Sequence, residues 1–267
     1  MFNKNCCTQF YLFKNIIVWH VIFCYCSKPS GCLNFGSSGL NNLEIYVMSK
    51  IAINSAVFCY DDDTLKVLLS KESICTNAKW GILTGTLQNN ESADDAASRL
   101  MQEYGVGKNI FLRQLKTFID PGQQDSDWKV TIGYYGLINI EEYKMIFGIS
   151  QNYKRWWKVT DVPDLLFNHN KILDFSLYQL SNAFRESAVG FELLPKEFTL
   201  SELTNLYKEI LGFEANESGF CKKIVQKKVI VPFVDKQRGT IIETERRYKF
   251  NAREYEKLAM KKYFFIF

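Results

Sequence analysis

Glu91, Asp94, Asp95, Arg99 and Glu103 crowd into one stretch, GILTGTLQNNESADDAASRLMQEYGV, from Gly81 to Val106. Carboxylates gathered this closely can hold a hard divalent cation against a phosphate and activate water. The stretch has the layout of a loop, a helix and a tight stop at Gly105. Asp94 and Asp95 fall at the start of that helix, where negative charge is favourable beside the N-terminus. Only Glu103 remains near its end, and one carboxylate is a poor anchor for a cation that dehydrates reluctantly.

A second group has different chemistry. SGFCKKIVQKKVI places Phe220, Ile224 and Val225 on one side of a predicted helix and Lys222, Lys223, Lys227 and Lys228 around the rest. Phe220 to Lys249 carries nine Lys/Arg against three acids, although the whole chain is only +4. A local basic excess of this kind marks a surface for phosphate, and so for nucleic acid.

The elements that must position these groups are legible after Met48. IAINSAVFCY and LKVLLS read as strands joined at DDDT, a hairpin. FLRQLKTFID and KVTIGYYGLINI are two more strands, separated by the turn-rich PGQQDSDW, and KRWWKV is another. Asn170 to Arg185 has helical spacing at Ile172, Leu173, Phe175, Leu177, Leu180 and Phe184. A sheet flanked by helices, α/β or α+β, results. After Gly190 and Pro195, SELTNLYKEILG is a helix capped by Thr199 or Ser201 and stopped by Gly212. The lysine-bearing helix follows, then IVPFVD and RRYKF as strands about a charged loop. Helix, turn, basic helix and hairpin in that order make a winged helix-turn-helix.

With 267 residues there is room for two modest cores, and 47% hydrophobic content excludes global disorder. Residues 1–47 differ from the rest. They hold five of the eight cysteines, Cys6, Cys7, Cys24, Cys26 and Cys32, and the apolar run from Ile16 to Cys26. A secretory signal, a membrane span and upstream sequence read in frame before a start at Met48 are the alternatives. The run is short for a span and contains His20. The adopted expectation is the start at Met48, with 48–188 as a first domain and 189–260 as a second. Cys59, Cys75 and Cys221 then remain, with no paired spacing for zinc or a disulfide framework, as in a reduced cytoplasm.

Gly81 to Val106 resembles a Nudix box: Gly85, Glu91 and Arg99 keep its spacing, and Leu83-Thr84-Gly85-Thr86 stands where LPGG is usual. FIDPG, Phe118 to Gly122, resembles a stretch of ADP-ribose-type members. Together with FELLPKEFTLSELTNLYKEILG, FCKKI and RRYKF, the chain from about Met48 to Leu258 is similar to Nudix-related transcriptional regulators of the NrtR type. That resemblance implies a Nudix-like α/β/α sandwich with a mixed sheet and a C-terminal winged helix. In active members, carboxylates one, four and five places after the arginine hold Mg²⁺. Here those places are Leu100, Glu103 and Tyr104, or Gln102 and Glu103 form the acidic pair if the helix is counted back from Gly105.

Gly85, Glu91, Arg99 and Glu103 are accordingly remnants, with Glu91 and Arg99 as scaffold. Asp120 and Trp128 are the candidates for ligand contact. Lys222, Lys223, Gln226, Lys227, Arg246 and Arg247 are the candidates for DNA. His169 is expected to cap or pack, and Trp156 and Trp157 to lie in the core. The expected function is a cytoplasmic, homodimeric regulator that binds a palindromic double-stranded DNA operator and senses a sugar or an ADP-ribose-like metabolite, with no cofactor and no membrane. The alternatives are a Nudix hydrolase of ADP-ribose or a related compound, with Mg²⁺ at Glu103, and a plain interaction module.

Overall fold

The structure is a computed structural model, and it describes residues 51–71, 79–107, 110–120, 129–141, 143, 153–212, 217–233 and 246–260. All of them fall in the second of the chain's two units, Val47–Phe267. The readings made for residues 1–47, for PGQQDSDW with Trp128, and for most of the charged loop after Phe233 lie outside the described residues.

Strands β1 (Ala52–Asp61) and β2 (Thr64–Lys71) form the expected hairpin. Its turn holds Asp62 and Asp63 at φ of 51° and 55°, the left-handed backbone that short hairpin loops require. Lys66 steadies that turn by pairing with Asp61 at 2.6 Å and Asp62 at 3.1 Å. Gly81 to Thr86, which the sequence presents as loop, instead forms β3 (Trp80–Gly81) and β4 (Leu83–Thr86). The reason is pairing: β3 joins β2, and β4 joins β1 with Ile53 opposite Gly85.

Strands β5 (Phe111–Asp120), β6 (Lys129–Ile138) and β7 (Lys154–Lys158) complete a seven-stranded sheet of order β3-β2-β1-β6-β5, with β4 on β1 and β7 on β2. Among the described strands β1 and β6 pair in parallel and the other pairs are antiparallel, so the sheet is mixed.

Alternation along β1 feeds two cores. Ile53, Val57 and Cys59 face helix α1 (Ala93–Glu103) and its buried Ala97, Leu100 and Met101. Ala56, Phe58 and Tyr60 face helix α2 (His169–Glu186), whose Ile172, Leu173, Leu180, Ala183 and Phe184 repeat at three and four residues. Helices on both faces of one sheet make the α/β/α sandwich.

The second of these cores continues across residue 189 into helix α3 (Leu200–Leu211), helix α4 (Glu217–Gln226) and β10 (Arg247–Phe250). Thr199 caps α3 in a reciprocal box with Glu202, and Gly212 ends it at φ 67°. Strands β8 (Phe198–Thr199), β10 and β9 (Ile230–Pro232) form a small sheet with β10 central. Strand, helix, helix and hairpin are the winged helix. A last helix, α5 (Ala252–Met260), follows it and was not legible in the sequence; its Tyr255 hydroxyl accepts from the Ala188 amide at 3.1 Å. Among the described residues, no helix is long and apolar enough to cross a membrane.

Candidate functional site

The carboxylates of the box helix all have partners. Ser92 caps α1, donating from its hydroxyl to Asp95 at 2.7 Å while accepting from the Asp95 amide at 3.1 Å. Asp94 accepts from the Tyr134 hydroxyl at 2.6 Å, which ties the start of the helix to β6. Burial, with that bond second, holds the Tyr134 phenol above its ordinary value. Arg99 donates to Glu91 at 2.7 Å and 3.1 Å, to Glu103 at 2.7 Å and to the Thr86 carbonyl at 2.9 Å. The Arg99 hydrogen bond is the main reason that Glu91 sits below the usual carboxylate range. One guanidinium fork thus joins loop, strand and helix, a geometry suited to Arg rather than Lys.

The places that an active box fills with acids hold other chemistry. Leu100 is 1% exposed and lies in the core beneath Gly85, where a Cβ would come within 2.7 Å of its Cδ1. That contact explains the glycine without any phosphate. In this helix Arg99 directly precedes Leu100, and Glu103 and the cap residue Tyr104 follow it. The Tyr104 hydroxyl donates to the Thr84 carbonyl at 3.3 Å. The half-buried Lys154 ammonium donates to the Tyr104 carbonyl at 2.8 Å and lies 5.1 Å from the centre of the Tyr104 ring. Burial lowers the Lys154 pKa.

A hard divalent cation does not fit this donor set. It would meet an alkyl group, a phenol, a neighbouring ammonium and one carboxylate already neutralised by Arg99. Among the described residues, no three His, Cys, Asp or Glu side chains gather into a metal-holding group.

The remaining sandwich candidates divide. Asp120 is the last residue of β5, opposite Lys129, and its side chain lies outside the described residues, as does Trp128. Trp157 is half-buried, 5.6 Å edge-on to Trp80, with Arg155 4.7 Å above it, and Trp156 meets Tyr143 at 5.4 Å. Sequence reasoning missed Lys154, because a lysine in KRWWKV reaches Tyr104 only through the pairing of β7 with β2.

His169 is 5% exposed and packs against Gly81, with Nδ1 unpartnered among the described residues. Burial pushes its pKa down to about 4. The unfolded value is about 6.5, so the folded chain binds fewer protons between those limits. The stability this contributes is complete above about pH 6.5 and is lost as pH falls toward 4, by up to about 3 kcal/mol. Denaturant midpoints measured from pH 7 to 5 should fall in the parent chain, and His169→Gln should flatten that slope.

In the winged helix, Phe220 and Ile224 are buried one turn apart, and Phe220 meets Tyr207 of α3 at 4.9 Å between ring centres. That packing leaves Lys222, Lys223, Gln226 and Lys227 exposed on the opposite face of α4 or just beyond its end. Lys222 and Lys223 have no ion-pair partner among the described residues. Arg246 and Arg247 are exposed at the start of β10, and Arg247 donates to the Glu197 carbonyl at 3.3 Å. The structure therefore brings four of the six DNA candidates onto one helix and its exit, and puts Arg247 at the start of β10 with Arg246 directly before it.

Residues 190–250 match the family described as the NrtR DNA-binding winged helix domain. The chain is 24% identical over 217 residues, covering 79% of itself and 86% of the relative, to the ADPR responsive transcriptional repressor NtrR of Acinetobacter baylyi. Shewanella oneidensis NrtR matches with TM-score 0.65 and 22% identity, over 76% of this chain and 94% of that one. The crystal structure of that protein complexed with a 27mer DNA matches at 0.63 and 20%, over 77% and 95%. A MutT/nudix family protein from Enterococcus faecalis matches at 0.60 and 18%, over 77% and 89%. Residues 190–250 thus match the NrtR winged helix family, and the sandwich and winged helix together have the fold of Shewanella oneidensis NrtR, to which this chain is similar along most of its length.

Proposed function

We propose that the chain is a DNA-binding transcriptional regulator whose sandwich, residues 48–188, senses a small metabolite and does not hydrolyse it. Residues 189–260 bind double-stranded DNA. The observation that carries this reading is the combination in one chain of a lysine face on the second helix of a winged helix with a box whose acids are all engaged. The Acinetobacter baylyi relative is described as ADPR responsive, which supports an ADP-ribose-like effector; a sugar is the other candidate. Lys222, Lys223, Gln226 and Lys227 face the major groove, and Arg246 and Arg247 meet phosphates beside it. A symmetric dimer in the cytoplasm would match a palindromic operator, with half-sites about one helical turn apart.

The effector acts by its differential affinity for arrangements of the chain that bind DNA and arrangements that do not. The test is selection of duplexes from a random pool by the full chain, followed by titration of ADP-ribose and a sugar panel against the selected duplex. A selected palindrome released by one of these ligands is the expected result. Turnover of ADP-ribose in Mg²⁺ or Mn²⁺, abolished by Glu103→Gln, would reverse the reading in favour of a hydrolase.

A further inference from the structure

The winged helix meets the sandwich through a polar junction as well as a shared core. The Asn205 side-chain amide of α3 donates to Asp63 Oδ1 at 3.2 Å, across 142 residues of sequence. The Tyr60 hydroxyl donates to the same oxygen at 3.0 Å, so one hairpin carboxylate serves both halves of the chain. Two residues on, the Leu65 amide donates to Glu209 Oε1 of α3 at 3.2 Å, across 144 residues. The pairing of β7 with β2 ends at Lys66, opposite Lys158, so Leu65 stands one residue past its end. Glu209 supplies there the acceptor that a longer strand would have supplied.

The other end of the same strand reaches the box. Ala52 pairs with Thr86 and Ile53 with Gly85, and β1 continues without a break to Asp61 at the hairpin turn. Strands on either side and cores on both faces make β1 stiff. At the far end, α3 is the helix against which α4 packs, through Tyr207 and Phe220. A shift of β4 at Thr84 to Thr86 therefore has a continuous route to the lysine-bearing helix.

We propose that Asp63, Asn205 and Glu209 are positioning residues of the regulatory response: they couple the box loop, through β1, to the orientation of α3 and α4. This rests on the reading of the chain as a DNA-binding regulator. Coupling is reciprocal, so DNA bound at the winged helix must be felt at the box loop.

The test uses the full chain and a duplex selected as above. Amide hydrogen exchange is followed at Leu65 and at Thr84 to Thr86, with and without the duplex. Binding should change exchange at Thr84 to Thr86 by roughly threefold or more in the parent chain. The Asn205→Ala, Glu209→Ala double variant should bind the duplex within about threefold of the parent and lose that remote change. Glu209→Gln and Asp63→Asn, which keep an oxygen acceptor, should retain it. A folded double variant with the remote change intact, or a parent chain that binds the duplex without showing it, overturns the proposal. Failure of the parent to bind any duplex is a separate result and removes the regulator reading along with it.

Discussion

Leu100→Glu should cost about 4 kcal/mol or more and lower the melting temperature by roughly 10 °C, with no gain of hydrolysis. On the family pattern this substitution repairs the box, because an acid belongs one place after the arginine. In this fold it drives a carboxylate into a site that is 1% exposed, beneath Gly85 and among Ala97, Met101 and Leu83. No cation is positioned there to receive it, since Arg99 is already committed to Glu91, Glu103 and the Thr86 carbonyl. Leu100→Met, which conserves volume and stays apolar, should cost less than about 1.5 kcal/mol. Thermal unfolding of the two variants beside the parent decides the matter. A Leu100→Glu chain as stable as the parent would mean that this helix face is open to solvent, and a metal site would have to be reconsidered.

The second large effect belongs to the Lys222→Ala, Lys223→Ala double variant. Both side chains are exposed on α4, so stability should move by no more than about 1 kcal/mol in total. Duplex binding should weaken by about tenfold or more at physiological salt, nearly alike for all sequences, and the slope of log affinity against log salt should fall by roughly two units. Gln226→Ala should behave differently, costing about 1–3 kcal/mol at one base position and leaving the salt slope unchanged. A folded double-lysine variant with unaltered affinity and salt slope would take α4 off the DNA. The lysines would then be an ordinary solvated face.

What could be read from the sequence follows from local rules. Alternation at the start of 52–61 gives a strand because successive side chains point to opposite faces, the turn-rich PGQQDSDW bounds FLRQLKTFID as another, and the spacing from Ile172 to Phe184 gives a helix because three and four residues close a turn. Thr199 or Ser201 at one end and Gly212 at the other mark the ends of α3 as groups that satisfy terminal backbone, and the structure selects Thr199 through its reciprocal bonds with Glu202. The lysine face of α4 is likewise a local fact, since Phe220 and Ile224 must turn inward wherever the helix packs.

Only the tertiary structure could decide the rest, because it depends on residues that meet from distant positions. Gly81 to Thr86 contains two strands because β1 and β2 are there to pair with them. Leu100 is a core residue rather than a missing acid because Gly85 lets it close on the sheet. Asp94 is an anchor because Tyr134 arrives from β6. Lys154 stands beside Tyr104, and Glu209 beneath Leu65, through hydrogen bonds that span 50 and 144 residues. Periodicity carries no information about such pairings: a side chain's partner across a sheet or a domain junction is set by register and packing, which no window of neighbouring residues contains.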